Sequence, residues 1–219
     1  MSNLKELKID IVSDVVCPWC AIGYANLDKA LEQSQGIQAN IQWHPFQLNP
    51  YMGKEGQDIN EHLEEKYGLS PEQLKANKQT IVERGAESGV DFKFEQRARI
   101  YNTLDCHILL HYAGEKGKQT ELKLVLFHAY FTQGLDVSDQ TVLLNAIEEV
   151  GLNKAEAKAA LDDETYKKAV LEEESTYKHM GISSVPSFII NDKYLLSGGQ
   201  PVESFKQALA EIAEKEQQA

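Results

Sequence analysis

Ser13-Asp14-Val15-Val16-Cys17-Pro18-Trp19-Cys20-Ala21-Ile22-Gly23 joins two different periodicities and puts a pair of cysteines at the junction. Upstream, Leu7, Ile9 and Ile11 stand at every second position, which predicts a strand. Downstream, Ile22, Ala25, Leu27, Ala30 and Leu31 fall near helical spacing, so a helix is expected over 21–35, stopped at Gly36. Alternation returns in Ile37, Ala39, Ile41 and Trp43, which predicts a second strand over 37–46. The chain therefore opens strand, helix, strand, with the cysteines at the first strand-to-helix turn.

Beyond that opening, residues 49–181 read as helical throughout. Apolar faces at three-and-four spacing run over 58–67, 70–88, 97–113, 118–132, 138–150 and 163–180, and most of the breaks between them contain glycine. Ser70-Pro71 has the cap and first residue of a helix start. The strand period comes back over 187–190 and 194–196, joined by the turn Asn191-Asp192-Lys193, and an amphipathic helix closes the chain over 202–216. That order describes an α/β protein, a thioredoxin-like fold whose sheet is interrupted by a large all-helical insertion. The expected division is a discontinuous thioredoxin-like domain, 1–50 and 182–219, around a helical insertion domain, 51–181.

Two cysteines at this spacing can close a small disulfide loop at a helix start. There the free N–H groups and the helix dipole favour a thiolate on the first sulfur. Cys17 is then the exposed attacking thiolate, and Cys20, one turn on, the resolving thiol. Pro18 suits the first helical position, and Trp19 offers a contact surface beside the mouth. A zinc site commonly needs about four ligands, often as two paired motifs, and this chain has one such pair; Cys106 and a histidine could complete one, but no spacing demands it. Before the third strand stands Val185-Pro186. In a thioredoxin-like fold a cis proline faces the cysteine pair from this position and turns the Val185 backbone toward an extended substrate; the alternative is a trans proline ending a loop.

The motif 13–23 resembles the opening of the DsbA-like family, in its FrnE-type branch. Pro45-Phe46-Gln47-Leu48-Asn49-Pro50, Asn102-Thr103-Leu104-Asp105-Cys106-His107, Val185-Pro186-Ser187-Phe188 and Gly198-Gly199-Gln200-Pro201 carry the likeness along nearly the whole chain, in order. The resemblance implies a dithiol–disulfide oxidoreductase or isomerase with Cys17 and Cys20 catalytic and Pro186 in cis. Pro18, Trp19, Val185 and Pro186 are the expected substrate contacts. Cys106 departs from the family pattern, where a small residue is more usual; it is expected either to fill a buried apolar position or to act as a third redox thiol. His107 and His111 are four apart, without the glutamate of a zinc-protease motif, and read as surface or packing histidines. Asp14 reads as a turn hydrogen-bonder or a modulator of thiol acidity, Gly198 and Gly199 as turn geometry, and Glu172-Glu173-Glu174 as a solvated helix face.

Composition narrows the classes. A net charge of −12 on 219 residues opposes nucleic-acid binding, and no apolar run reaches the roughly 18 residues of a membrane span. Three cysteines are too few for a secreted disulfide framework. Charged residues interrupt 1–14, so no secretory leader is expected, and the cytoplasm is the expected compartment. The expected partner is a disulfide-containing protein or small molecule. No bound cofactor is expected beyond the redox-active cysteine pair, reset by glutathione or a thioredoxin system. Two rivals remain. One is a glutathione-dependent small-molecule isomerase or transferase of the same fold; such enzymes carry a serine at the position matching Cys17. The other is a non-catalytic zinc- or peptide-binding protein.

Overall fold

The computed structural model describes residues 5–218. β1 (Lys5–Ser13) leads through the cysteine turn into α1 (Pro18–Gln33) and returns along β2 (Ile37–Pro45). The insertion follows: β3 (Gln57–Asp58), α2 (Ile59–Tyr67), α3 (Pro71–Ser88), β4 (Arg99–Ile100), α4 (Leu104–Glu115), α5 (Gln119–Phe131), α6 (Gln140–Glu149), α7 (Lys154–Asp162) and α8 (Glu164–His179). β5 (Ser187–Ile190), β6 (Tyr194–Ser197) and α9 (Val202–Gln218) complete the chain. This is the DsbA-like thioredoxin fold, a mixed sheet with a helical insertion.

The sheet order is β2-β1-β5-β6, with β1 parallel to β2 and antiparallel to β5, and β5 antiparallel to β6. Burial explains the strand sequences. β5 is central and buried on both faces; central β1 is apolar on the α1 side and alternates with Glu6, Lys8 and Asp10 on the other, and β2 and β6 are edges and alternate. On one face Ile9, Ile11, Phe188 and Ile190 meet α1 and α9, where the Phe188 and Phe205 rings stand 4.9 Å apart, edge to face. On the other face Val12 and Ile189 pack with Phe46, Ile182 and Tyr177 of α8. The main core runs on without a break into Leu109, Leu126 and Ile147 of the insertion. The outer edge of β2 is closed by a side chain: Gln119 donates to the Trp43 carbonyl and accepts from the Trp43 N–H, both at 2.9 Å, as a neighbouring strand would.

Three details differ from the sequence reading. Residues 97–103 are not helical; Arg99–Ile100 pairs with Gln57–Asp58, and the Arg99 side chain donates to the Glu55 and Gly56 carbonyls. Strands of two residues have no period to detect. α7 was not anticipated, because its alanine-rich stretch has a weak apolar face; Asn153 starts it by accepting from the Ala155 and Glu156 N–H groups. The third difference concerns the acidic run. Glu172 is exposed, but Glu174 is 4% exposed and Glu173 half-buried, because α8 turns this face onto the loop after β2. Glu174 accepts from the Gln47 N–H at 2.6 Å and its side-chain amide at 2.9 Å, and pairs with Lys178 at 2.8 Å.

Candidate active site

Cys17 is the N-cap of α1 (φ −92°, ψ 110°) and makes no capping bond through its sulfur, which leaves the thiol free at the helix start. Pro18 takes the first helical position, and the Cys20 N–H donates to the Cys17 carbonyl at 3.1 Å, placing the second thiol one turn in. All three cysteines are free thiols. Cys20 is fully buried, and Cys17 keeps only 4% of its surface. The expectation of an exposed Cys17 is therefore corrected. It forms the floor of a cleft of about 410 Å³, because α2 and α3 fold over the start of α1 and wall the cleft with residues such as Tyr67, Leu74 and Ile81.

Pro18, Trp19 and Val185 line the same cleft. The Val185–Pro186 bond is cis, and the Val185 carbonyl lies 3.7 Å from Cys17 Sγ, a weak S–H acceptor contact. Pro186 is buried, and Gly23 lets it approach: a Cβ on Gly23 would meet the Phe188 ring at 3.0 Å and Pro186 Cγ at 3.2 Å. Gly199 serves likewise against Trp19, since its own Cβ would stand 3.2 Å from the Trp19 carbonyl. Gly198, with φ +82°, makes the turn and donates to the Pro186 carbonyl at 2.8 Å. The sequence reading took both glycines for turn residues; Gly199 is a close approach.

Behind the thiols lies a buried set of charges that spacing did not reveal. Asp14 is fully buried; its carbonyl accepts from the Cys17 N–H and its carboxylate from the Leu48 N–H at 2.8 Å. Burial alone would raise its pKa, but His107 at 3.5 Å and the Leu48 and Thr103 donors outweigh burial and hold it below the usual range. His107 is thus a packing histidine with a charged neighbour. Lys123 of α5 is fully buried, and its Nζ has no hydrogen-bond partner among the described residues; it stands 5.2 Å from the Trp43 and Phe127 rings. Burial pushes the Lys123 pKa down, while the nearby Cys20 and Asp14 charges oppose that fall. Burial and the adjacent Cys17 push the Cys20 thiol well up, and Lys123 works against this. Cys106 lies apart from the cleft lining, fully buried on α4, where its thiol donates to the Val137 carbonyl at 3.1 Å and burial drives its pKa upward. Among the described residues no group of three or more His, Cys, Asp or Glu side chains could hold a metal ion, and no helix is long and apolar enough to cross a membrane.

The DSBA-like thioredoxin domain matches residues 8–210, and the chain belongs to that family. A probable DsbA oxidoreductase from Streptomyces coelicolor superposes with a TM-score of 0.87 at 31% identity, covering 96% of this chain and 91% of its own. The uncharacterized protein YwbO of Bacillus subtilis is 28% identical over 209 residues, 94% of this chain and 98% of that protein. A 2-hydroxychromene-2-carboxylate isomerase shares the fold at 16% identity, with a TM-score of 0.69 over 96% of this chain and 98% of its own. The family is that of DsbA-like thioredoxin domains, and the isomerase shares its fold.

Proposed function

We propose that this protein is a thiol–disulfide oxidoreductase in which Cys17 attacks and Cys20 resolves. The observation that carries the reading is the arrangement at the cleft floor: a free thiol at a helix start, a second thiol one turn behind it, and the carbonyl of a cis Val185–Pro186 bond beside the first sulfur. The Cys17 thiolate attacks one sulfur of a substrate disulfide, forming a mixed disulfide and expelling one thiolate. Cys20 then gives up its proton and attacks Cys17 Sγ; the Cys17–Cys20 disulfide forms and the second substrate thiolate leaves, so two electrons pass from the dithiol to the substrate. The positive charge of Lys123 eases the ionisation of Cys20. Pro18, Trp19 and Val185 contact the substrate, and Pro186 holds that edge in place. We assign the protein to the cytoplasm, whose poise favours reduction or isomerisation over net oxidation, with glutathione or a thioredoxin system as its redox partner. A cysteine at position 17, rather than a serine, separates it from the glutathione-dependent isomerases.

Cys17→Ser abolishes exchange, and Cys20→Ser accumulates a mixed disulfide that thiol trapping captures. A Cys20→Ser protein that forms no adduct, or a Cys17→Ser protein that retains exchange, overturns the assignment. Equilibration with glutathione buffers fixes the direction: a potential near about −270 mV marks a reductase, and one near about −120 to −180 mV an oxidant or isomerase.

A further inference from the structure

The cleft above Cys17 has a charge opposite to that of the chain. With 34 acidic and 22 basic residues the protein is strongly anionic, yet no aspartate or glutamate lines this cleft, whereas Lys66, Lys78 and Arg97 do. Among the described residues neither lysine is paired with a carboxylate. Lys66 donates to the Leu48 carbonyl at 2.7 Å and the Asn49 side chain at 2.8 Å, and Lys78 to the Asn60 side chain at 2.7 Å. Arg97 is the unusual member: it is 7% exposed, the Tyr130 hydroxyl is the polar group that faces it, and among the described residues its Nε has no hydrogen-bond acceptor and it forms no ion pair with a carboxylate. Its guanidinium stands 4.2 Å from the Phe94 ring centre and 5.2 Å from that of Tyr130. Cation–π contact offsets part of the burial cost but satisfies no N–H group. A buried guanidinium whose N–H lacks an acceptor, in a cleft free of carboxylates, is short of an anion. His62, in the same lining, donates from Nδ1 to the Gln57 side chain at 2.8 Å and leaves Nε2 as an unpartnered acceptor. The cationic groups therefore ask for a carboxylate, and His62 adds a free acceptor elsewhere in the same lining.

We propose that the cleft binds a low-molecular-weight disulfide carrying carboxylate groups, with Arg97 anchoring a carboxylate while the disulfide lies over Cys17. The cleft, at about 410 Å³, is of small-ligand size. This rests on the oxidoreductase reading and deepens it: Cys17 and Cys20 pass two electrons to the bound disulfide, which leaves as two carboxylate-bearing thiols while the Cys17–Cys20 disulfide forms.

The test compares dithiodiglycolate with its neutral diamide as oxidants of the reduced protein. Each rate is divided by that of dithiothreitol with the same disulfide, which removes the difference in leaving-group acidity. The wild type prefers the dianion by about tenfold or more at low ionic strength, from a charge-assisted anchor. The preference falls toward one in Arg97→Gln and partway in Lys66→Gln. If removing Arg97 unfolds the protein, Lys66→Gln and a salt titration of the wild type decide, the expected result being a preference that declines toward about 0.5 M salt. Equal normalised rates in the wild type, or a preference indifferent to both salt and Lys66, overturn the proposal while exchange itself stands. Failure of both disulfides to react overturns the oxidoreductase reading instead.

Discussion

Two regions of this molecule bury charge in opposite ways. Where α8 docks on the sheet, the buried carboxylates are paired: Asp10 with His44 at 2.8 Å and Lys8 at 2.9 Å, Glu174 with Gln47 and Lys178. Around the cysteines the pattern reverses. The buried side-chain atoms lacking a partner among the described residues belong to Ser13, Asp14, His62, Arg97, His107 and Lys123. Each of these residues lines the Cys17 cleft, precedes its turn, or lies against the charges behind it. Folding alone selects against such atoms, because an unmet buried polar group costs stability. Their concentration at one place separates the polar groups that hold α8 on the sheet from those gathered around the proposed catalytic pair. The partners of the first group are in the chain; in the second, Asp14 and His107 face each other at 3.5 Å, while Arg97 and Lys123 have no carboxylate partner among the described residues.

Glu174 gives the largest test of that contrast. Glu174→Ala strands the buried Gln47 N–H and side-chain amide, while the exposed Lys178 stays solvated, and lowers unfolding stability by about 3 kcal/mol in a urea titration. Lys123→Met is expected to do the opposite. Replacing an unpartnered buried ammonium by an apolar side chain of similar length leaves stability unchanged or raises it by about 1 kcal/mol. The same change removes the positive charge that favours the Cys20 thiolate, so release of the second substrate thiol slows while the first attack by Cys17 does not. A loss of about 3 kcal/mol in Lys123→Met would make that lysine structural and erase the distinction between the two regions.

The contrast also marks what could be read from residues alone. Strands β1, β2, β5 and β6 were legible because a sheet with central and edge strands writes continuous or alternating apolar patterns into the chain. The placement of Cys17 and Cys20 at a helix start, and of a cis Pro186 beside them, was legible because both depend on position within that pattern. Arg97, His62 and Lys123 were not. They come from three different insertion segments and reach the surroundings of the cysteines only through tertiary packing, and a single lysine or arginine in an apolar stretch has the same signature as a surface residue. Glu173 and Glu174 failed for the same reason: three consecutive glutamates look solvated until the face of α8 that docks is known.

A smaller effect distinguishes the docking cluster by pH. His44 contacts Glu173 through Nδ1 at 2.5 Å and Asp10 through Nε2 at 2.8 Å. Carboxylates only accept, so both ring nitrogens donate and His44 is the cation. Burial would lower its pKa, but Asp10 and Glu173 outweigh burial and raise it. Burial would likewise raise that of Glu173, yet His111 and His44 hold it down at about 2. By linkage, the depressed Glu173 contributes stability that is complete above about pH 4.5, its unfolded value, and is lost as pH falls toward about 2. The raised His44 contributes stability that is complete below about pH 6.5 and lost as pH rises through its folded value. The docking of α8 is therefore firmest between those limits. Glu173→Gln removes one acid from the balance, so its stability falls less steeply than the wild type's between about pH 4.5 and 2; the slope that remains belongs to Asp10, Asp14 and Glu174, whose pKa values are also held down. Urea midpoints across that interval measure the difference, and parallel curves for the two proteins would show that the His44 cluster does not couple α8 to the sheet through charge.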